Sequence, residues 1–127
     1  MRGYTSISAS ELKAWLDDGD ISIVNLYAPT ENFLTENSEL NEEEMEFALS
    51  MFAAQDALAD ESQKFPLVAA LEIPAGSFAT NSDGLITPID KAKWDYLECI
   101  FLVEDGGEEL TWFATQEVSH QLKIWLG

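Results

Sequence analysis

Basic residues are scarce in this chain, and their scarcity argues against several classes of partner. Six Lys and Arg residues stand against 24 Asp and Glu residues, for a formal net charge of −18. Proteins that bind nucleic acid or an anionic membrane surface rely on clusters of Lys and Arg. We therefore expect no direct binding of nucleic acid and no membrane binding. The partner that this charge favours is a basic protein.

Cysteine and histidine are almost missing as well. Cys99 is the single cysteine and His120 the single histidine, so the sequence offers neither a disulfide framework nor a usual zinc ligand set. Cys99 stands in an apolar stretch with no base nearby, which favours a buried structural thiol over a nucleophile. Motifs for phosphate loops, calcium loops and catalytic triads are absent from the sequence. We predict no cofactor and no metal.

Long apolar runs are lacking too. A membrane-spanning helix needs roughly 18 or more apolar residues in a row, and the sequence contains no such run. Polar residues follow Met1-Arg2 at once, unlike a signal peptide, so we expect a cytoplasmic protein. The 127 residues suit one globular domain, 1–127. Their apolar content of 46% is enough for a hydrophobic core and argues against disorder.

The longest helical pattern runs from Asn41 to about Ser62. Asn41 is a predicted N-cap, and Glu44 stands where a capping box requires an acid. Projected at about 100° per residue, the apolar side chains cover more than half of the circumference, so we predict a core helix that is buried on most sides. The apolar set is Met45, Phe47, Ala48, Leu49, Met51, Phe52, Ala54, Leu58 and Ala59. The remaining sector holds Glu42, Glu43, Glu46, Ser50, Asp60 and Glu61 with the small residues Ala53 and Ala57.

Shorter patterns on both sides of this helix indicate the fold class. A capped helix should begin after Ser8 and end near Gly19, and a final helix should span Gln116 to Leu126. The predicted strands are Gly3 to Ile7, Ile21 to Tyr27, Leu67 to Ile73, Gly84 to Ile89, Tyr96 to Val103 and Glu109 to Ala114. This order predicts an α+β fold, with a mixed or antiparallel sheet of about five to six strands packed on the long central helix plus N- and C-terminal helices.

The acids are distributed unevenly. Between Ala14 and Gln63 there are thirteen Asp and Glu residues and no Lys or Arg. If the end of the first helix and the start of the central helix lie on one side, they form a strongly negative surface, such as DNA-mimicking proteins use against nucleic-acid-binding enzymes. We predict a partner-binding acidic surface made of Asp17, Asp18, Asp20, Glu39, Glu42, Glu43 and Glu46. The alternative is that these charges serve solubility alone.

Several short motifs resemble a family of small acidic proteins of unknown function found in actinobacteria. They include Met1-Arg2-x-Tyr4 at the start, the run from Glu43 to Ala48, and Trp112 to Glu117 near the end. The likeness extends over nearly the whole chain, and its motifs are structural. The resemblance implies a bacterial, cytosolic, single-domain protein, and it assigns no catalytic residue.

Together these features predict a non-catalytic interaction or regulatory protein. Its partner would be a basic or nucleic-acid-binding protein held by the acidic surface. Two alternatives stay open. One is a transferase-like enzyme that uses a carboxylate such as Glu117. The other is a small-ligand-binding domain in which residues 28–40 form a lid.

Overall fold

Seven antiparallel strands form the main sheet of the computed structural model, which describes residues 1–81 and 85–127. The strands are β1 Arg2–Ile7, β3 Leu26–Tyr27, β4 Leu67–Glu72, β5 Phe78–Thr80, β6 Leu85–Pro88, β8 Leu97–Glu104 and β9 Glu109–Ala114. Their order across the sheet is β5-β6-β3-β1-β4-β8-β9. Two short strands, β2 Asp20–Ile21 and β7 Ala92–Lys93, pair with each other in a separate ladder.

Helices cover both faces of the main sheet. They are α1 Ala9–Asp18, α2 Glu31–Glu36, α3 Glu42–Ala59 and α4 Val118–Trp125. On β4, Leu67 and Ala69 point into a core shared with α1 and α4, while Val68 and Ala70 point into a core shared with α3. Because both faces of β4 are covered, its sequence is apolar at almost every position instead of alternating.

Both predicted capping boxes are present. The Glu11 amide donates to Ser8 Oγ at 3.1 Å, and the Ser8 amide donates back to the Glu11 carboxylate at 3.0 Å. The Glu44 amide donates to Asn41 Oδ1 at 2.8 Å, with the reciprocal bond at 3.1 Å. These local bonds fix the first residues of α1 and α3, as the sequence predicted.

The prediction that α3 is buried on most sides is wrong. Its buried residues are Leu49, Ser50, Ala53, Ala54 and Ala57, which belong largely to the sector with the small side chains. Phe47 and Phe52 instead lie outside this buried stripe and are 63% and 42% exposed. Small side chains let the helix backbone approach the sheet closely, so the alanines form the contact and the large aromatic residues are left outside.

The α+β fold and the terminal helices are confirmed, and the sheet is antiparallel. The single strand predicted from Ile21 to Tyr27 is wrong, because β2 and β3 belong to different ladders. Between them, Asn25 Oδ1 accepts a hydrogen bond from Thr87 Oγ1 at 2.8 Å, which stabilises an irregular segment. Gly84, the first residue of another predicted strand, lies outside the described residues. None of the helices described combines the length and the apolar character that crossing a bilayer requires.

Candidate partner-binding groove

The stripe of α3 that faces the sheet changes in character along the helix. Toward the C-terminal end it consists of Leu49, Ala53 and Ala57, all buried. Residues three or four positions apart share one side of a helix, so the same stripe continues toward the N-terminus through Glu46 and then Glu42. Both glutamates are exposed. Carboxylates therefore occupy sheet-facing positions, and open space separates this half of α3 from the sheet.

Two adjoining clefts fill that space. The first, of about 570 Å³, lies between α3 and a wall that includes Glu72 and Phe78. The second, of about 380 Å³, lies on the other flank of α3 and reaches Leu110 of β9. Both clefts are lined by Arg2, Tyr4 and Glu46. We call the two clefts together the α3 groove.

Arg2 forms the floor where the two clefts meet, and its guanidinium is fully engaged. Its Nε donates to the Tyr4 hydroxyl oxygen at 3.1 Å, and Nη1 donates to Glu98 Oε2 at 3.2 Å. Burial raises the pKa of the Tyr4 hydroxyl above its ordinary value, and the Arg2 charge offsets part of that rise. Because Glu98 neutralises Arg2, the floor adds little net charge, and the carboxylates along α3 set the sign of the groove.

Cys99 lies beneath this floor and is buried, as the sequence predicted. Its Sγ is 3.9 Å from Nη2 of Arg2. Burial raises the pKa of the Cys99 thiol, and the Arg2 charge opposes that rise without cancelling it. The thiol is therefore protonated at neutral pH, and it contributes packing to the groove rather than a nucleophile.

One wall of the second cleft is unusually apolar for a surface. Phe47 of α3 lines this cleft and is 63% exposed, and Trp112, which stands two residues beyond Leu110 on β9 and outside the cleft, is 57% exposed. Trp112 stands directly opposite Phe101 of β8 in the sheet register, so the two rings share one face. Met51 and Leu110 complete this wall. Contiguous exposed apolar side chains bordered by charges are typical of protein interaction sites.

The structure divides the acidic residues that the sequence grouped together. Glu42, Glu43 and Glu46 line the α3 groove, and Glu39 is exposed just before α3. The others, Asp17, Asp18 and Asp20, lie at the end of α1 and in β2. α1 packs on the face of the sheet opposite to α3. The two sets therefore do not form one continuous surface.

The two sets also differ in their neutralisation. Asp17 forms an ion pair with Lys13, with 2.5 Å between Oδ2 and Nζ. Asp20 lies opposite Lys93 across the β2–β7 ladder. Among the residues that the structure describes, no Lys or Arg forms an ion pair with the glutamates of the α3 groove. The three α3 glutamates of the groove therefore carry negative charge that no described Lys or Arg balances in an ion pair.

The residues behind the two alternative functions have structural partners. The Glu117 carboxylate accepts a hydrogen bond from the Ala114 amide at 3.4 Å, next to the start of α4. Within residues 28–40, Thr30 caps α2 through the Phe33 amide at 3.3 Å, and Phe33 is buried. In the described part of the chain, no three His, Cys, Asp or Glu side chains are arranged to hold a metal ion.

Comparison with known proteins gives no match for this chain among family models, curated proteins or solved structures. The resemblance to actinobacterial proteins stays a prediction.

Proposed function

We propose that this protein binds a partner protein through the α3 groove, and that the bound segment is cationic and carries apolar side chains. One observation supports this most strongly. Glu42 and Glu46 occupy the sheet-facing stripe of α3, unpaired with any described Lys or Arg, and the exposed ring of Phe47 lines the same groove. This proposal keeps the glutamate half of the acidic surface predicted from the sequence and moves the site away from α1.

The groove explains why a cation is the expected ligand. Charges of one sign inside a cleft with low-dielectric walls focus the field and attract a ligand of opposite charge. Complementary charge of this kind gives specificity and a fast association rate more than raw affinity. Glu42, Glu43 and Glu46 line the groove on both flanks of α3, so a Lys or Arg entering from either flank meets a carboxylate.

The apolar wall explains why charge alone is not sufficient. Covering an exposed aromatic side chain completely contributes roughly 1.5–3 kcal/mol, and aromatic residues are frequent hot spots of binding energy. Phe47 offers one such side chain in the groove, and Trp112 offers another on the same face of the sheet, opposite Phe101. A protein segment supplies cationic and apolar groups together, whereas a simple amine supplies the cation alone.

A selection from a display library of random dodecamer peptides tests this proposal. The wild-type protein should enrich peptides in which Lys or Arg is interspersed with apolar residues. The triple variant Glu42→Gln, Glu43→Gln, Glu46→Gln should bind the enriched peptides about ten- to a hundredfold more weakly, since each partly exposed ion pair contributes about 0.5–1 kcal/mol. Binding should also weaken as salt is added.

The matched control carries the same change of charge on the other layer. Asp17→Asn, Asp18→Asn, Asp20→Asn removes three negative charges from the α1 side and should leave affinity within about twofold of wild type, because α1 and α3 pack on opposite faces of the sheet. Equal losses in both triple variants, or enriched peptides without excess positive charge, would contradict the proposal. Circular dichroism of both variants verifies that they are folded.

A further inference from the structure

The outer edge of β9 is open along its whole length. In the described part of the chain, β9 pairs with β8 alone. All six residues from Glu109 to Ala114 pair in register with β8 on the inner side. In an antiparallel pair, every second residue directs its N–H and C=O groups toward the neighbouring strand, and the residues between direct theirs outward. β9 therefore presents a row of backbone donors and acceptors at the edge of the sheet.

Apart from the charge of Glu109 at its start, this edge has none of the usual protection in its sequence. Proteins blunt exposed edge strands with Lys, Pro, bulges or very short strands. The opposite edge strand, β5, is short, with three residues. In contrast, β9 has the sequence ELTWFA, without Lys, Pro or Gly. An exposed edge of this length and composition is a template to which another strand can be added.

Charge at one end of β9 indicates the chemistry of that strand. Glu109 lies directly opposite Glu104, and Asp105 and Glu108 stand in the turn that joins the two strands. Like charges directly opposite each other destabilise a strand pair. Among the described residues, no Lys or Arg forms an ion pair with these four acids. An added strand with basic residues at this end would relieve the repulsion, whereas a second copy of the chain would bring a further net charge of −18.

The side chains of β9 connect this edge to the α3 groove. Leu110 lines the second cleft, and Trp112 projects on the same face, opposite Phe101. On an added strand, every second side chain would lie on that face, next to the Trp112 ring. The open edge and the groove are thus two parts of one continuous surface.

We propose that the partner segment binds as an additional strand along β9, with basic residues beside Glu109 and alternate apolar side chains covering Trp112. This inference rests on the proposed function of the α3 groove. It specifies that function further, because it requires an extended backbone in the partner and not only a cationic surface.

Amide hydrogen exchange measured by NMR on the full chain tests it. The probe is the dodecamer most enriched on the wild-type protein. Within β9, the outward-directed amides should exchange fast in the free protein and at least about tenfold more slowly with the peptide bound, while the amides bonded to β8 change little. If the peptide binds and the β9 amides keep their free exchange rates, strand addition is overturned and the groove proposal still stands. If the selection yields no cationic peptide, both proposals are overturned.

A second measurement uses the peptide backbone itself. Two versions of the dodecamer carry N-methyl groups on alternate residues, so that each version lacks the hydrogen-bond donors of one edge. One version should bind about tenfold or more weakly, because it loses two or more backbone hydrogen bonds at about 0.5–1.5 kcal/mol each. The other version should bind like the unmodified peptide. Equal affinity of all three peptides would overturn strand addition.

Discussion

Two substitutions at positions only two residues apart on α3 test which side of this helix carries the stability of the fold. Leu49 is 2% exposed and packs in the core beneath α3, whereas Phe47 is 63% exposed and lies outside that core, at the second cleft. Leu49→Ala should lower the free energy of unfolding by about 2–5 kcal/mol, the usual cost of truncating a buried leucine and leaving a cavity. A scale based on hydrophobicity alone would rank the phenylalanine as the more important of the two.

Phe47→Ala should cost far less. Full burial of a Phe side chain contributes roughly 1.5–3 kcal/mol, and only about a third of this side chain is covered, which leaves about 0.5–1 kcal/mol. Alanine also has the higher helix propensity, by up to about 0.7 kcal/mol, which offsets most of that loss. We therefore expect a change close to zero. Phe52→Ala is an intermediate case, because the Phe52 ring is 42% exposed and lies 5.6 Å from the Tyr27 ring.

Urea unfolding followed by far-ultraviolet circular dichroism measures these differences. The dependence of the free energy on urea should be the same in all variants, so that midpoints can be compared directly. A loss for Phe47→Ala that equals the loss for Leu49→Ala would refute the orientation of α3 described above. It would also remove the apolar wall from the candidate groove, because a buried Phe47 could not contact a partner.

Three further predictions concern other parts of the fold. Gly3→Ala should destabilise by about 1–3 kcal/mol in urea, because its Cβ would lie 2.8 Å from a side-chain atom of β3. Trp15→Phe removes the indole N–H that donates to the Ala92 carbonyl oxygen at 3.0 Å. The free energy of unfolding, measured by thermal unfolding, should fall by about 1–3 kcal/mol. Burial and the hydrogen bond to Asp56 raise the pKa of Tyr27 to about 12, so ultraviolet titration should find a late phenol whose pKa falls in Asp56→Asn, while the raised pKa of Tyr4 is unaffected by that change. Because this pKa exceeds its ordinary value of 10.0, the associated stability is present below pH 10 and is lost as the pH rises toward 12.

The parts of the fold that the sequence predicted well depend on local interactions. A capping box involves residues three apart, so Ser8 with Glu11 and Asn41 with Glu44 could be identified directly. The orientation of α3 could not be predicted from apolar content, because that measure gives weight to large side chains. Close packing on a sheet depends on small ones, such as Ala53.

The candidate groove depends on contacts between residues far apart in the sequence. Arg2 reaches Glu98, a separation of 96 residues, because β4 lies between β1 and β8 in the sheet. Which face of the sheet each helix covers also follows from the order of the strands, which local patterns do not determine. For that reason the sequence placed Asp18 and Glu42 on one surface, whereas the structure places them on different layers.

Position 46 connects the stability of α3 with the proposed function. Glu42 lies in the first turn, where the helix dipole stabilises a carboxylate, but Glu46 lies beyond that turn and gains little from it. An apolar residue there would extend the contact that Leu49 makes with the sheet, which contributes roughly 1.5–3 kcal/mol for a fully buried side chain. At neighbouring position 47 the chain instead exposes a phenylalanine. An acid in the sheet-facing stripe next to an exposed aromatic residue is the reverse of the arrangement that stabilises a surface helix. Such local conflicts with stability are expected where a protein binds something, and one cationic, partly apolar segment would satisfy both positions at once.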